Sequence, residues 1–555
     1  MLRKRLTHAQ RIQEIITALI RNGLGFIVKD LGMFDLVGKL HKTKAVTDDP
    51  MVTKNLGERI RLTLEELGPT FIKLGQLAST RFDLFPQEIT RELAKLQDDV
   101  KPVSFSEIRP IIEEELGKPL DSLFLEISPS PVASASIGQV HRAKLPGGEQ
   151  VAIKIQRPNI EKTIVTDLEI LRYLTKVLEE RTEWAKENRV YDIVHELSTS
   201  LLQELDYTRE AKNSERCQAS IKNLENVCIP KIYWPYTTKR VLTMEYIEGQ
   251  KLEQFMQNAN KDEKKKLALD FTNCMFEQIF VSGFFHADPH PGNIFITKEK
   301  QLVLIDFGMV GRLSPQMKFD LASLIIALRD EDLAEIATLV KKIGQMSEYT
   351  DEDKLLFDLE NLLETYMHRS LQQIHVSELF NEIFRICFEN KIRIPPDLTM
   401  LGKALLTIEG VLARLDPDLA LINLAEPFGR RLILERYKPE TLFKNIRFKI
   451  RDVQKFLSDL EAIVNGVARR GKLRIEIDVP YFKDLLTKLD RITNQLSFSI
   501  VLLAFSIMMS GLIIGAAIMK EETVLWKFPV IEIGGIAATC MFLWLLYSIL
   551  KSGRF

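Results

Sequence analysis

Cysteine is scarce in this chain: five residues (Cys217, Cys228, Cys274, Cys387, Cys540) are spread over 555, with no C-x-x-C pair. That excludes a disulfide framework and a zinc ribbon, and leaves plain thiols suited to a reducing compartment. An excess of one charge is missing too: 75 Lys+Arg against 76 Asp+Glu give a net charge of −1, so nucleic acid is not expected as a bulk partner. No secretory signal pattern opens the chain, because charges interrupt every apolar run there. No internal repeat or low-complexity tract occurs. With 46% hydrophobic and 27% charged residues, the chain reads as globular and long enough for more than one domain.

Charge disappears altogether near the C-terminus. From Ile492 to Met519 there is no ionisable side chain, and a second uncharged run extends from Ile533 to Leu550, with Glu532 at its edge. A spanning helix needs about 20 mostly apolar residues, so the two runs predict a transmembrane helical hairpin. Lys483, Lys488 and Arg491 precede it, Lys551 and Arg554 follow it, and the loop carries only Lys520 and Lys527. This bias places both ends on the cytoplasmic side. Gly511 and Gly515 form a G-x-x-x-G that offers a helix-contact face for a homodimer. The first thirty residues are basic and amphipathic, with Glu14 the one acid before Asp30. They suit a mitochondrial transit peptide, or a helix lying on the domain or on a membrane surface.

Between the termini the texture changes several times. Five segments are expected: a basic amphipathic segment (1–55), a helical extension (56–128), a β-rich lobe with inserted helices (129–249), a larger helical lobe (250–490) and the membrane hairpin (491–555). "ASIGQVHRAKLPGGEQVAIKIQ" alternates around Pro146-Gly147-Gly148 and predicts a β-hairpin. A long helical stretch follows, from about Ile160 to Asn223. "NIFITKEKQLVLIDFG" predicts two further strands around a charged turn.

Several short motifs carry chemistry. Lys154 ends "VAIK", where the third strand of a kinase lobe holds the α- and β-phosphates of a nucleotide. Upstream, "ASASIGQV" stands where a kinase carries its glycine loop, so Ala133, Ala135, Ser136, Gly138 and Val140 are nucleotide-side candidates. Alanine restricts the backbone and should hold this loop off the phosphates. "FFHADPHPGN" admits three readings: a tight turn, a transition-metal site from His286, Asp288 and His290, or a catalytic loop of the H-x-D-x-x-x-x-N type. The third is favoured because "DFG" (Asp306-Phe307-Gly308) follows, placing Asp288 at the acceptor hydroxyl and Asn293 and Asp306 on Mg2+. Glu204, Asp206 and Glu210 are the acids available to Lys154, the latter two on one helix face at i, i+4. "TMEYIEG" suits a hinge whose backbone at Glu245 and Ile247 binds adenine. After "DFGMVGRLSPQ" a helical pattern resumes at once, with no A-P-E, so no peptide-docking platform is evident. A small or membrane-resident acceptor, or ATP hydrolysis, is expected instead.

"FIKLGQ", "ASASIGQVH", "VAIKIQRP", "QELDYTREA", "FFHADPHPGN" and "LIDFG" together resemble the UbiB-type atypical kinases, over roughly residues 56–310. The resemblance implies an α+β, bilobal protein-kinase-like fold with an N-terminal helical extension and a C-terminal transmembrane hairpin. It implies a K-x-G-Q helix over the nucleotide pocket, matched here by Lys73 and Gln76. It makes Glu204 with Asp206 the E-x-D pair and Glu210 the partner of Lys154. ATP and Mg2+ are the implied cofactors, and ATPase activity rather than protein phosphorylation the implied chemistry. Membrane lipids, prenylquinone precursors and quinone-biosynthesis enzymes are the implied partners, in ubiquinone or other prenylquinone biosynthesis. Two alternatives stand beside this: a small-molecule or lipid kinase, and a nucleotide-binding scaffold without turnover. No flavin fingerprint or iron triad supports a redox enzyme.

Overall fold

The computed structural model describes residues 2–30, 55–96, 100–329, 332–344, 351–367, 376–390 and 392–419, with isolated positions beyond. The chain divides into two compact units, Met1–Lys444 and Asn445–Phe555. Among the described residues no helix is long and apolar enough to cross a membrane. The predicted hairpin and Gly515 lie outside the described residues, apart from isolated positions such as Gly511.

In the first unit the basic helix Leu2–Arg21 lies on the domain surface, burying Ile15, Ile16 and Ala18. Its anchor is Arg11, whose Nε donates to Asp167 Oδ1 at 2.8 Å and whose Nη2 donates to the Leu67 carbonyl at 2.8 Å. Asp167 is almost fully buried and needs this cation, since an unpaired buried carboxylate is costly. Of the sequence alternatives for this segment, the structure shows a helix docked on the domain.

Two extension helices follow. Asn55 caps Leu56–Leu67 by accepting from the Glu58 N–H at 2.8 Å, and Gly68 at φ +91° ends that helix. Pro69 then opens Pro69–Ala78 at N1, where its missing N–H costs nothing. Ile72, Leu74 and Leu77 of this second helix join Leu93 and Leu96 and pack against Ile164, Leu168 and Leu201 of the inserted helices Ile160–Arg181 and Val190–Glu204. The glycine of "KLGQ" serves that packing: a Cβ on Gly75 would stand 2.3 Å from Leu96 Cδ1 and 2.7 Å from Leu64 Cδ1.

The β-rich lobe is an antiparallel five-stranded sheet. Its centre is the hairpin of Gly138–Lys144 and Gln150–Gln156, turned at Gly148 (φ +94°) as the Pro-Gly-Gly signal requires. Val241–Glu245 pairs with the lysine strand on its other side, and the short Ala133–Ser134 strand folds back on Gly138–Lys144. The chain leaves this sheet through Tyr246–Glu248 and enters a four-stranded sheet at Gly249–Lys251. That crossing is the expected hinge.

The second lobe is mainly helical. Helix Lys261–Phe276 starts from an Asn260/Glu263 capping box and ends in one π turn, Glu277–Ser282. The π turn aims buried Gln278 at the next strand, where its Oε1 accepts from the His286 N–H at 3.0 Å. Phe271, Phe276, Phe284 and Phe285 form the core with the long helix Pro396–Leu415.

Candidate active site

Everything at the site turns on where Lys154 points. Its strand presents the ammonium to helix Tyr207–Ser220, and Nζ lies 2.8 Å from Glu210 Oε1 and 3.0 Å from Oε2. The same Nζ stands 3.5 Å from Asp306 Oδ2. One ammonium therefore serves two carboxylates. Burial alone would lower the Lys154 pKa, but Asp306 and Glu210 together hold it well above its ordinary value. Lys154 in turn holds Asp306 well below the usual carboxylate range, while burial pushes Glu210 up to about 7. Two like charges sharing one counter-ion in a low-dielectric site are expected to split in this way.

Of the three acids offered by "LLQELDYTREA", the structure gives Glu210 to Lys154. Asp206 does not share the Glu210 helix face as the i, i+4 spacing suggested. It is the N-cap of Tyr207–Ser220, and its Oδ1 accepts from the Thr208 N–H at 3.0 Å and hydroxyl at 2.7 Å. Glu204 ends the preceding helix, and its Oε2 lies 3.9 Å from Lys73 Nζ. Lys73 therefore reaches the pocket from the extension helix, and its charge also helps to keep Asp306 ionised. Gln76, by contrast, donates from Nε2 to the Leu96 carbonyl at 3.1 Å, inside the extension.

The three readings of "HADPHPGN" resolve through its hydrogen bonds. His286 is fully buried, its Nδ1 accepts from the Asp288 N–H at 3.2 Å, and its Nε2 pairs with the Ile305 carbonyl at 3.2 Å. Burial lowers its pKa, so the ring is neutral, with the proton on Nε2. Both nitrogens are spent on backbone, which fits a loop-shaping residue and not a metal ligand. The ring also lies 5.0 Å from Phe307, joining the two motifs. His290 Nδ1 accepts from Gly292 N at 3.0 Å and closes the turn. Asn293 Nδ2 donates to the Asp288 carbonyl at 3.2 Å, which turns its Oδ1 the other way. Asp306 adopts φ +60°, held by the Gly308 N–H on its Oδ1 at 3.2 Å. Asn293 and Asp306 thus offer hard oxygen donors, one of them held ionised, and fit Mg2+.

The alanine loop is a tight turn. Ala135 N donates to the Gly138 carbonyl at 2.8 Å, and neither Ala133 nor Ala135 has a positive φ, so glycine is not required at either. Arg157 braces the turn from below, donating to the Ala135 carbonyl at 2.9 Å and to Ser134 Oγ at 2.9 Å. Ser136 Oγ is buried with no hydrogen-bond partner among the described residues. Gly138 is required for a different reason from phosphate approach: a Cβ there would stand 2.4 Å from Tyr207 Oη and 2.6 Å from the Ile155 carbonyl oxygen. Val140 lies opposite Lys154 in the hairpin register. At the hinge, Glu245 is exposed and its Oε2 accepts from Lys231 N at 3.2 Å, while Ile247 is half-buried.

Three residues of the site went unread in the sequence. Asn213 donates from Nδ2 to the Phe307 carbonyl at 3.1 Å; its place three residues past Glu210 could have found it. Tyr207 lies under the turn, with Lys154 Nζ 5.3 Å from its ring. Lys403, on helix Pro396–Leu415, makes an ion pair with Asp288 Oδ2 at 3.0 Å.

Comparison with known proteins identifies the family. Residues 95–340 match the ABC1 atypical kinase-like domain, residues 359–420 the UbiB helical domain and residues 480–551 the ABC1/UbiB kinase-like C-terminal domain. The chain is 33% identical over 556 residues to an uncharacterised protein in the hydrogenase 1 5' region of Clostridium pasteurianum, covering 98% of this chain and 99% of that one. It is 34% identical to the probable protein kinase UbiB of Cellvibrio japonicus, covering 76% of this chain and 78% of that one. The chain belongs to the ABC1/UbiB family of atypical kinase-like proteins. Its kinase-like fold, of mixed helix and sheet, is that of the family. A Mycobacterium tuberculosis protein solved with erythromycin aligns at a TM-score of 0.44 and 23% identity, covering 66% of this chain and 93% of that one.

Proposed function

We propose that this ABC1/UbiB chain is a membrane-anchored, Mg-dependent ATPase or phosphotransferase that serves ubiquinone or other prenylquinone biosynthesis. It would act on lipid-soluble precursors. The observation that carries the phosphotransfer reading is the single ammonium of Lys154 placed between Glu210 and Asp306, at 2.8 and 3.5 Å. That arrangement holds a phosphate-binding lysine in position beside a carboxylate kept ionised. Asn293 and Asp306 would hold Mg2+, which when bound neutralises charge on the phosphates.

In the reaction, Asp288 orients the acceptor hydroxyl or a water. The oxygen lone pair forms a bond to the γ-phosphorus while the bond from that phosphorus to the β-bridging oxygen breaks. ADP departs with the electron pair, and the acceptor proton passes to Asp288. A small acceptor is favoured over a peptide by two features. The chain passes from strand Val310–Arg312 almost directly into helix Pro315–Arg329, and the "KLGQ" helix brings Lys73 to the pocket. Membrane anchoring rests on the two uncharged runs at 492–519 and 533–550, both of which lie within the matched C-terminal domain. On the positive-inside bias the catalytic domain faces the cytoplasm.

The test is ATP turnover by the full chain in vesicles with and without anionic lipid and a phenolic quinone-precursor mimic, with mass analysis for phosphorylated product. Turnover that rises with lipid and mimic is expected. Absence of both hydrolysis and product would leave only the scaffold reading.

A further inference from the structure

The catalytic loop of this chain has a gap in its charge. Between Asp288 and Asn293 the residues are Pro289, His290, Pro291 and Gly292, with no lysine or arginine. The next cation in sequence, Lys298, is exposed and 3.7 Å from Glu248, away from Asp288. The two histidines do not fill the gap: His286 is neutral and both its nitrogens are engaged, and His290 closes its own turn. Yet phosphoryl transfer spreads negative charge over the equatorial oxygens of the moving group, next to the carboxylate that orients the nucleophile.

Helix Pro396–Leu415 supplies what the loop lacks. It buries Leu398, Leu401, Ala404, Leu405 and Ile408 in the core, and the Arg312 N–H donates to Asp397 Oδ1 at 2.9 Å, fixing its start to the strand after Asp306. Asp397, Met400 and Lys403 recur every three residues, so they lie along one side of the helix. Asp397 and Met400 line a cavity of about 270 Å³ beside Gly308 and Glu210, and Lys403 Nζ reaches Asp288 Oδ2 at 3.0 Å. The Lys403 side chain is 20% exposed and that of Asp288 is 27% exposed, so the pair is open to an entering phosphate.

We propose that Lys403 is a catalytic residue, a cation delivered from the helical domain that pairs with Asp288 and takes the oxygens of the transferred phosphoryl group. An acceptor oxygen oriented by Asp288 lies in hydrogen-bond reach of that carboxylate and about 3–3.5 Å from the phosphorus. An ammonium 3.0 Å from the same carboxylate is then a neighbour of the equatorial oxygens. This proposal rests on the phosphotransfer reading above.

The experiment uses the full chain in detergent, with Lys403→Met, Lys403→Gln and Lys403→Arg. Mg-ADP affinity is measured by calorimetry, alone and with aluminium fluoride, which imitates the phosphoryl group in transit. ATP turnover is measured alongside. In Lys403→Met and Lys403→Gln, Mg-ADP affinity should stay within about twofold. The gain in affinity from aluminium fluoride should fall at least tenfold, and kcat about 100-fold, the usual cost of one electrostatic stabiliser. Lys403→Arg should keep a larger share of both. Equal losses with and without fluoride would make Lys403 an anchor for its helix and overturn the proposal, as would unchanged turnover. A parent that neither binds Mg-ADP nor hydrolyses ATP would overturn the phosphotransfer reading and this proposal with it. An active parent indifferent to Lys403 would overturn this proposal alone.

Discussion

Removing a negative charge beside Lys154 should stabilise the folded protein at neutral pH, although the charge belongs to an ion pair. Glu210 is buried, with Lys154 Nζ at 2.8 and 3.0 Å, and that lysine also answers to Asp306 at 3.5 Å. Burial lifts the Glu210 carboxyl to about 7 in the fold. In an unfolded chain a glutamate titrates near ~4.3, and the gap amounts to about 3–4 kcal/mol at 1.36 kcal/mol per pH unit. Because the folded state binds this proton more tightly, the contribution is fully present below about pH 4. It is lost progressively as pH rises and is gone once pH passes through about 7. Glutamine has no proton to lose. Between pH 5 and pH 8 the parent should therefore lose about 2–3 kcal/mol relative to Glu210→Gln, a few degrees in Tm for a chain of this size. Lys154 and Asp306 stay ionised throughout that window, one raised and the other lowered, and add no slope of their own. Thermal unfolding of both proteins without nucleotide, in matched buffers at each pH, isolates the Glu210 contribution. A stability difference that stays flat with pH, or a parent that gains on the variant as pH rises, would refute the reasoning. It would show that the attraction of Lys154 outweighs burial.

Two further outcomes follow from individual contacts. Gly138→Ala should cost about 1–3 kcal/mol by overpacking, because its Cβ would stand 2.4 Å from Tyr207 Oη. Adding Tyr207→Phe should return part of that, measured as Tm, while the Ile155 carbonyl at 2.6 Å keeps the rescue incomplete. Asp306→Asn should abolish turnover and bring ATP affinity in Mg2+ and in EDTA to the same value by calorimetry; unchanged hydrolysis would remove Asp306 from the metal site.

What the sequence disclosed here was local. Lys154 on its strand, Asp288 and Asn293 in one loop and Asp306 after the next hairpin are each fixed by spacing within a few residues. The hairpin at Pro146-Gly147-Gly148 was legible because only glycine settles easily at φ +94°. Asp206 was misplaced although its signal was present: aspartate before a helix favours the N-cap, and Thr208 supplies the donors. Gly138 was legible as a glycine but not for its reason, since the clash with Tyr207 depends on a helix far along the chain. Lys403 left no trace, being one lysine in "MLGKALL" that only tertiary packing brings to Asp288.

The two cations brought in from outside the kinase-like motifs suggest why such a pocket would serve a small acceptor. Lys73 comes from the extension helix and Lys403 from the helical domain, and they meet Glu204 and Asp288 at 3.9 and 3.0 Å. Each is held by a helix whose apolar face is buried, so neither can swing aside without exposing core: Ile72, Leu74 and Leu77 in one case, Leu401, Leu405 and Ile408 in the other. Under the proposed small-acceptor reading, a peptide presenting a hydroxyl to Asp288 would have to shift one of these helices. Burying a fully enclosed leucine or isoleucine is worth about 1.5–3 kcal/mol, so displacing three would cost several kcal/mol before any binding gain. A water or a slender phenolic head group needs no such displacement. On that proposed reading, discrimination against protein hydroxyls would be a packing property of the flanking helices.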